Sequence, residues 1–188
     1  SPDNKLLAYV TGKNGSLAAM DWDAATKKVS NDRTLVGPGA DPKKSVVMFP
    51  GASPDHKWIV YQRGNTLGSG QDAVGNLYLA SADTPGVEIP LDALNGASYP
   101  FFAGARDHDL SFEPTFAPQA AGGYYWVVFH SRRTYGNALT GPAFCGEGCG
   151  TKQLWVAAID LDPKPGVDPS HPAFWVPGQE TSTLNMRG

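Results

Sequence analysis

Few residues in this chain have wide chemical reach. Its 188 residues include four histidines (His56, His108, His130, His171) and two cysteines (Cys145, Cys149). The densest polar cluster is Arg106-Asp107-His108-Asp109. A guanidinium, an imidazole and two carboxylates side by side can hold an ion or a polar ligand, or simply form a solvated loop. His130-Ser131-Arg132-Arg133 is the second such run. Arg106, Asp107, His108, Asp109, His130 and Arg132 are therefore the candidate binding residues. His56 and His130 also have a plain structural reading, one at a turn and one at the end of an apolar strand.

Covalent and metal chemistry find little support. Gly68-Ser69-Gly70 lacks the strand–turn–helix setting of a nucleophile elbow. The glycine-rich stretch 64–75 lacks the Lys-Ser/Thr of a phosphate loop. A carboxylate pair needs a known separation in space, which spacing along the chain does not supply, so no catalytic residue is assigned. Asp160, Asp162 and Asp168 offer alternate oxygens that suit Ca²⁺, but the glycine and terminal glutamate of a calcium loop are missing and prolines stiffen the segment. Cofactors are thus expected to be none, with calcium the one candidate. Cys145 and Cys149 flank Gly146-Glu147-Gly148. Two cysteines cannot close a structural zinc site, and the glycines allow a tight loop, so a disulfide is favoured over free thiols or a metal. A disulfide implies an oxidising compartment, periplasmic or extracellular.

Charge excludes some partners. The formal net charge is −3, and the basic pairs Lys27-Lys28, Lys43-Lys44 and Arg132-Arg133 are scattered, which argues against nucleic acid and anionic lipid. No apolar run approaches the ~20 residues of a membrane span. Twenty-two glycines and sixteen prolines mark many turns, while 41% hydrophobic content with 11% aromatics is ample for a core. Many short elements between turns indicate an all-β chain.

Those elements repeat. Ser53-Pro54-Asp55-His56-Lys57-Trp58-Ile59-Val60-Tyr61 copies Ser1-Pro2-Asp3-Asn4-Lys5-Leu6-Leu7-Ala8-Tyr9, and Ala117-Pro118-Gln119 followed by Tyr124 to Phe129 is a looser third copy. The marker prolines are 52 and 64 residues apart, more than the ~40–50 residues of ordinary propeller repeats, so loops must hold the excess. Proline ends one strand, aspartate caps the turn, and a residue tolerant of positive φ leads back into a strand. Trp58 to Tyr61 and Tyr124 to Phe129 are apolar on both faces and demand cover on both. A second element recurs as Asn76 to Asp83 and Lys152 to Asp160. Val46 to Phe49 and Leu110 to Phe112 are the expected inner strands. The expected outer strands are Val87 to Leu91, where Pro90 requires an edge, and a displaced Ala173 to Val176. Residues 16–36 have helical propensity over Leu17 to Lys28, yet the repeat places two strands there around Asp23-Ala24-Ala25-Thr26.

The markers resemble the repeats of TolB-like propellers, in which Ser-Pro-Asp-Gly-Lys leads a strand ending in a polar turn. The resemblance is closest over Ser53 to Arg63 and Asn76 to Asp83, extends to Glu113 to Pro118 and Ser131 to Arg133, and is weak over 92–108 and 134–150. Asn4 and His56 replace the glycine, and Gln119 replaces the aspartate. It implies WD-like, four-stranded antiparallel β-propeller blades at about 1–44, 45–108 and 109–188, with no inner strand in the first. Propellers carry about four to eight blades, so the ring is incomplete. The expected partners are the remaining blades, on a companion chain or fragment, and possibly another protein. Repeats of this kind specify a fold and say little about function. The expected function is a non-catalytic module for protein or ligand binding, with Arg106 to Asp109 near a channel mouth. The alternative is a propeller hydrolase or lyase, or its accessory domain.

Overall fold

The computed structural model describes residues 1–12, 15–66, 73–97, 107–133 and 152–179. They are all-β, in three antiparallel sheets. The first comprises β1 (Leu6–Val10), β2 (Leu17–Asp23) and β3 (Lys28–Val36), in that order. The second is ordered β4 (Val46–Ala52), β5 (Trp58–Gly64), β6 (Gly75–Ser81), β7 (Glu88–Pro90). The third comprises β8 (Ser111–Phe116), β9 (Tyr124–Ser131), β10 (Gln153–Asp160) and β11 (Phe174–Trp175), again in chain order. No ring closes among the described residues. Residues 16–36 form two strands with their turn at 24–27, as the repeat requires, because a packed sheet outweighs a few tenths of a kcal/mol of helix propensity per residue. Pro90 lies on the edge strand β7, where its missing N–H leaves no gap in the ladder.

The marker turns are built alike, atom for atom. In both, the serine hydroxyl donates to the aspartate Oδ1 (Ser1 to Asp3, 2.5 Å; Ser53 to Asp55, 2.7 Å). It also accepts the N–H five residues on, from Leu6 at 2.9 Å and Trp58 at 3.0 Å. The residue after each aspartate sits in the left-handed region, Asn4 at φ 57° and His56 at φ 56°. The αL conformation is where the resembled motif carries glycine, and it costs a non-glycine residue roughly 1–2 kcal/mol.

A second shared device sits in the inner strands. β4 carries a bulge between Met48 and Gly51, and β8 one between Phe112 and Thr115. Phe49 and Glu113 occupy these bulges at φ 51° and 53°, each followed by proline. A proline at a bulge loses no ladder hydrogen bond. The ladders then align residue for residue. Met48 pairs with Gln62 and Gln62 with Leu77, while Phe112 pairs with His130 and His130 with Leu154. Val10 and Leu17 hold the same pair of positions in the first sheet.

The sheets stack face on face. β1 lies against β4, and β8 lies across β4, β5 and β6. Leu6, Leu17, Ala19 and Leu35 pack on Val47, Ile59, Tyr61 and Ala80. On the opposite face of the second sheet, Val60, Leu77, Leu79 and Ile89 pack on Tyr125, Val127, Phe129 and Trp155. Burying each large side chain contributes about 1.5–3 kcal/mol. β5 and β9 are thus central strands, although Trp58 and Trp126 stay partly exposed. A one-turn helix, α1 (Asp92–Asn95), seats Leu94 in the second core and ends on Gly96 at φ 99°.

Candidate functional site

Strand direction divides the connections between the two ends of the stack. The marker turns, the β2–β3 and β6–β7 turns and the β10–β11 connection leave from one end. The β1–β2, β3–β4, β5–β6, β7–β8 and β9–β10 connections leave from the other, called the loop end below. The candidate residues from the sequence belong to the loop end.

The structure brings only some of them together. Asp109 closes a single 3-10 turn, Asp107–Asp109. Its carboxylate lies 3.7 Å from Lys44 Nζ on the β3–β4 crossover and 3.3 Å from His108 Nε2. The His108 carbonyl accepts from Asn76 Nδ2 at 2.8 Å, which fixes this turn over the start of β6. Arg106 lies outside the described residues, as do Cys145 and Cys149. Arg132 is buried rather than presented: its Nη2 donates to the Ala73 carbonyl at 3.1 Å and its guanidinium lies 5.2 Å over the Phe112 ring. His130 is 1% exposed, with Nδ1 3.4 Å from Glu113 Oε2. Lys152 Nζ is 3.5 Å from the other oxygen of the same carboxylate.

The most enclosed cationic group was not a sequence candidate. Arg133 is 1% exposed. Its guanidinium donates to Ser131 Oγ, the Leu94 carbonyl and Ser111 Oγ at 2.9, 2.9 and 2.6 Å, and it lies 5.0 Å over the Trp155 ring. It ties α1, β8 and β9 together at the loop end. A guanidinium this well paired serves structure rather than ligand binding.

Beside these groups a cavity of about 560 Å³ opens between the β3–β4 crossover and the second sheet. Gly37 to Asp41 form one wall, and Lys44, Arg63, Tyr78 and Glu88 form the other. Arg63 is nearly buried and pairs through Nε with Glu88, which also accepts from Tyr61 Oη. Its Nη2 reaches the Gly37 carbonyl at 3.0 Å. Burial, with the Glu88 carboxylate next in weight, drives the Tyr61 phenol far above its ordinary range. For Tyr78 the same two causes act in the same direction. Both phenols stay neutral at physiological pH. The cavity is therefore a polar, charge-paired recess with an aromatic wall, in the size range of small-ligand sites. Its one sequence signal was Arg63 at the end of the second marker strand.

The calcium candidates do not converge. Asp160 Oδ1 is 2.9 Å from His171 Nε2, Asp162 pairs with Lys164, and Asp168 accepts from Ser170 and from Ala93 N at 2.7 Å. Among the described residues no three acidic, histidine or cysteine side chains stand close enough to share a metal. Nor does any described helix have the length and apolarity to cross a membrane. No protein-family model matches the chain, and no curated protein matches it.

Proposed function

We propose that the three sheets are consecutive TolB-like blades of a β-propeller, and that the chain is a non-catalytic module that binds a protein or ligand at its loop end. The observation that carries this reading is the segregation of parts. One end holds short, self-satisfied marker turns, while the other collects the two longest inter-strand connections, 91–110 and 132–152, the Lys44–Asp109 pair and the cavity beside Arg63 and Tyr78. Binding residues concentrate on loops that a rigid scaffold positions. Repeated ladders with bulges at matching positions supply that scaffold.

The partners we propose are the further blades of the ring and the molecule read by the loops. The proposed compartment is periplasmic or extracellular, resting on a Cys145–Cys149 disulfide that non-reducing mass spectrometry would detect as a loss of two hydrogens.

Thermal-shift titration with oligosaccharides and with peptides tests the function. Stabilisation that Lys44→Met and Tyr78→Ala both remove supports a binding module at this end. Turnover of a glycoside, ester or peptide that the same substitutions abolish would instead support a propeller hydrolase or lyase.

A further inference from the structure

The charges that line the cavity beside Arg63 cancel. Its wall carries two carboxylates, Asp41 and Glu88, and two cations, Lys44 and Arg63. Neither cation is free for an anion. Arg63 directs Nε to Glu88, Nη2 to the Gly37 carbonyl at 3.0 Å and Nη1 to the Lys44 carbonyl at 3.5 Å. Lys44 is balanced by Asp109. Glu88, held by Arg63 and Tyr61, is no better placed to take a cation. Asp41 is exposed to solvent and caps its own loop, accepting the Lys43 N–H at 2.9 Å. A ligand of either net charge would lose hydration here without meeting an unmatched counter-charge inside the recess. A neutral ligand avoids that cost.

Three groups on the wall keep unused hydrogen-bonding capacity. Lys44 Nζ stands 3.7 Å from Asp109 Oδ1, beyond hydrogen-bond length, and its ammonium can only donate. Glu88 Oε1 accepts from both Tyr61 and Arg63, whereas Oε2 accepts from no described group and can only accept. Tyr78 Oη makes no hydrogen bond among the described residues, and as a neutral phenol it can do both. A hydroxyl is a neutral group that satisfies all three. Beside them Pro38, Ala40 and the Tyr78 ring add apolar surface, which suits the C–H face of a ring with hydroxyls around its edge. The loop side of the wall is held in place: the Gly39 N–H donates to the Ser45 carbonyl at 3.1 Å, and a β-carbon at Gly39 would meet the Lys44 carbonyl at 2.6 Å. A wall fixed before binding loses little freedom on binding.

We infer that this cavity takes one ring of a neutral saccharide, its hydroxyls bound by Lys44, Glu88 and Tyr78. The assignment names the ligand class of the loop-end site and rests on the binding-module reading.

Titration of the purified protein with the neutral methyl pyranosides of glucose, galactose and mannose, followed by the NMR shifts of the Tyr78 ring and the Gly39 amide, tests the assignment. Saturable shifts with at least one of them support it. Lys44→Met is expected to weaken that affinity about 10-fold, the loss of a hydrogen bond to a charged group, and Tyr78→Phe about 5-fold, the loss of a neutral one. Lys43→Met, outside the wall, is the control and should leave the affinity unchanged. Tighter binding of the corresponding uronates would overturn the assignment, because it requires an unmatched cation. So would glycoside binding that Lys44→Met and Tyr78→Phe both leave unaltered. Binding of peptides alone, sensitive to Lys44→Met, would overturn the saccharide assignment and leave the binding-module reading intact. Binding by neither class would remove both.

Discussion

Tyr125 Oη, on the third sheet, donates to Asp55 Oδ2, in the marker turn of the second, at 2.7 Å. One step earlier in the stack, His56 Nδ1 lies 2.6 Å from Asp3 Oδ2 in the marker turn of the first. Each marker aspartate thus does two jobs, capping its own turn and receiving a group from the next sheet. Gln119 stands at this position in the third marker.

Removing the Tyr125 hydroxyl isolates the second of these jobs. Tyr125→Phe keeps the ring that packs edge-on against Phe116. It is expected to lower stability by about 1 kcal/mol in urea unfolding, the net worth of one hydrogen bond to a charged group at a partly solvated site. No change in the unfolding midpoint would mean that the contact between the sheets is incidental.

Acid should release the same turns. At Asp55 burial acts to raise the pKa, and the hydrogen bonds from Ser53, Tyr125 and Lys57 outweigh it, so the carboxyl titrates below its usual range. Asp3 is lowered in the same way, with burial opposed by Ser1, Lys5 and His56. A group depressed in the folded state contributes its full stabilisation above the unfolded pKa of about 3.9, and loses it as pH falls through the folded value. Stability is expected to decline below about pH 4, and less steeply in Asp55→Asn. A parallel decline in both proteins would place the acid sensitivity elsewhere.

Glu88→Gln tests the cavity wall. Arg63 is 5% exposed and loses its only carboxylate partner among the described residues, leaving a nearly buried cation short of a counter-charge. Breaking such a pair typically costs about 3–5 kcal/mol, and the rim exposure of Glu88 places the expectation near the lower figure. Arg63→Met with Glu88→Gln should recover part of the loss, which a double-mutant cycle in urea measures.

Gly75 lies in tight contact between the second and third sheets. A β-carbon there would meet the Ser111 carbonyl at 2.5 Å and the Phe112 ring at 2.7 Å. Neither backbone nor a fully buried ring yields cheaply, so Gly75→Ala is expected to destabilise by about 1–3 kcal/mol. A gain, as for a glycine with open space around it, would contradict this packing.

Lys27 offers the opposite sign. It is exposed at φ 53° in the β2–β3 turn, and Lys27→Gly relieves left-handed strain. A stabilisation of about 0.5–1 kcal/mol is expected once the extra freedom of glycine in the unfolded chain is subtracted. The melting midpoint should rise by a few degrees.

Much of the fold was legible because its signals are local. Ser-Pro-Asp with a following αL residue specifies a turn by its own hydrogen bonds, so Ser1 to Lys5 and Ser53 to Lys57 could be equated from the letters alone. The shared Leu-aromatic-aliphatic-Ala run of Leu77 to Ala80 and Leu154 to Ala157 likewise marked which strands repeat, and that repeat overrode the helical propensity of residues 17–28. Charge roles were not local. Arg132 and Arg133 read as a polar turn, and only the folded chain buries them, because their partners Ala73, Leu94 and Ser111 lie far away in sequence. The cavity is assembled from the 37–41 loop, Arg63, Tyr78 and Glu88, which no spacing rule connects. His130 lies between these cases: its type and strand were plain in the sequence. Its equivalence to Gln62 emerged only from the ladder registers, since a bulge shifts pairing by an amount the sequence does not display.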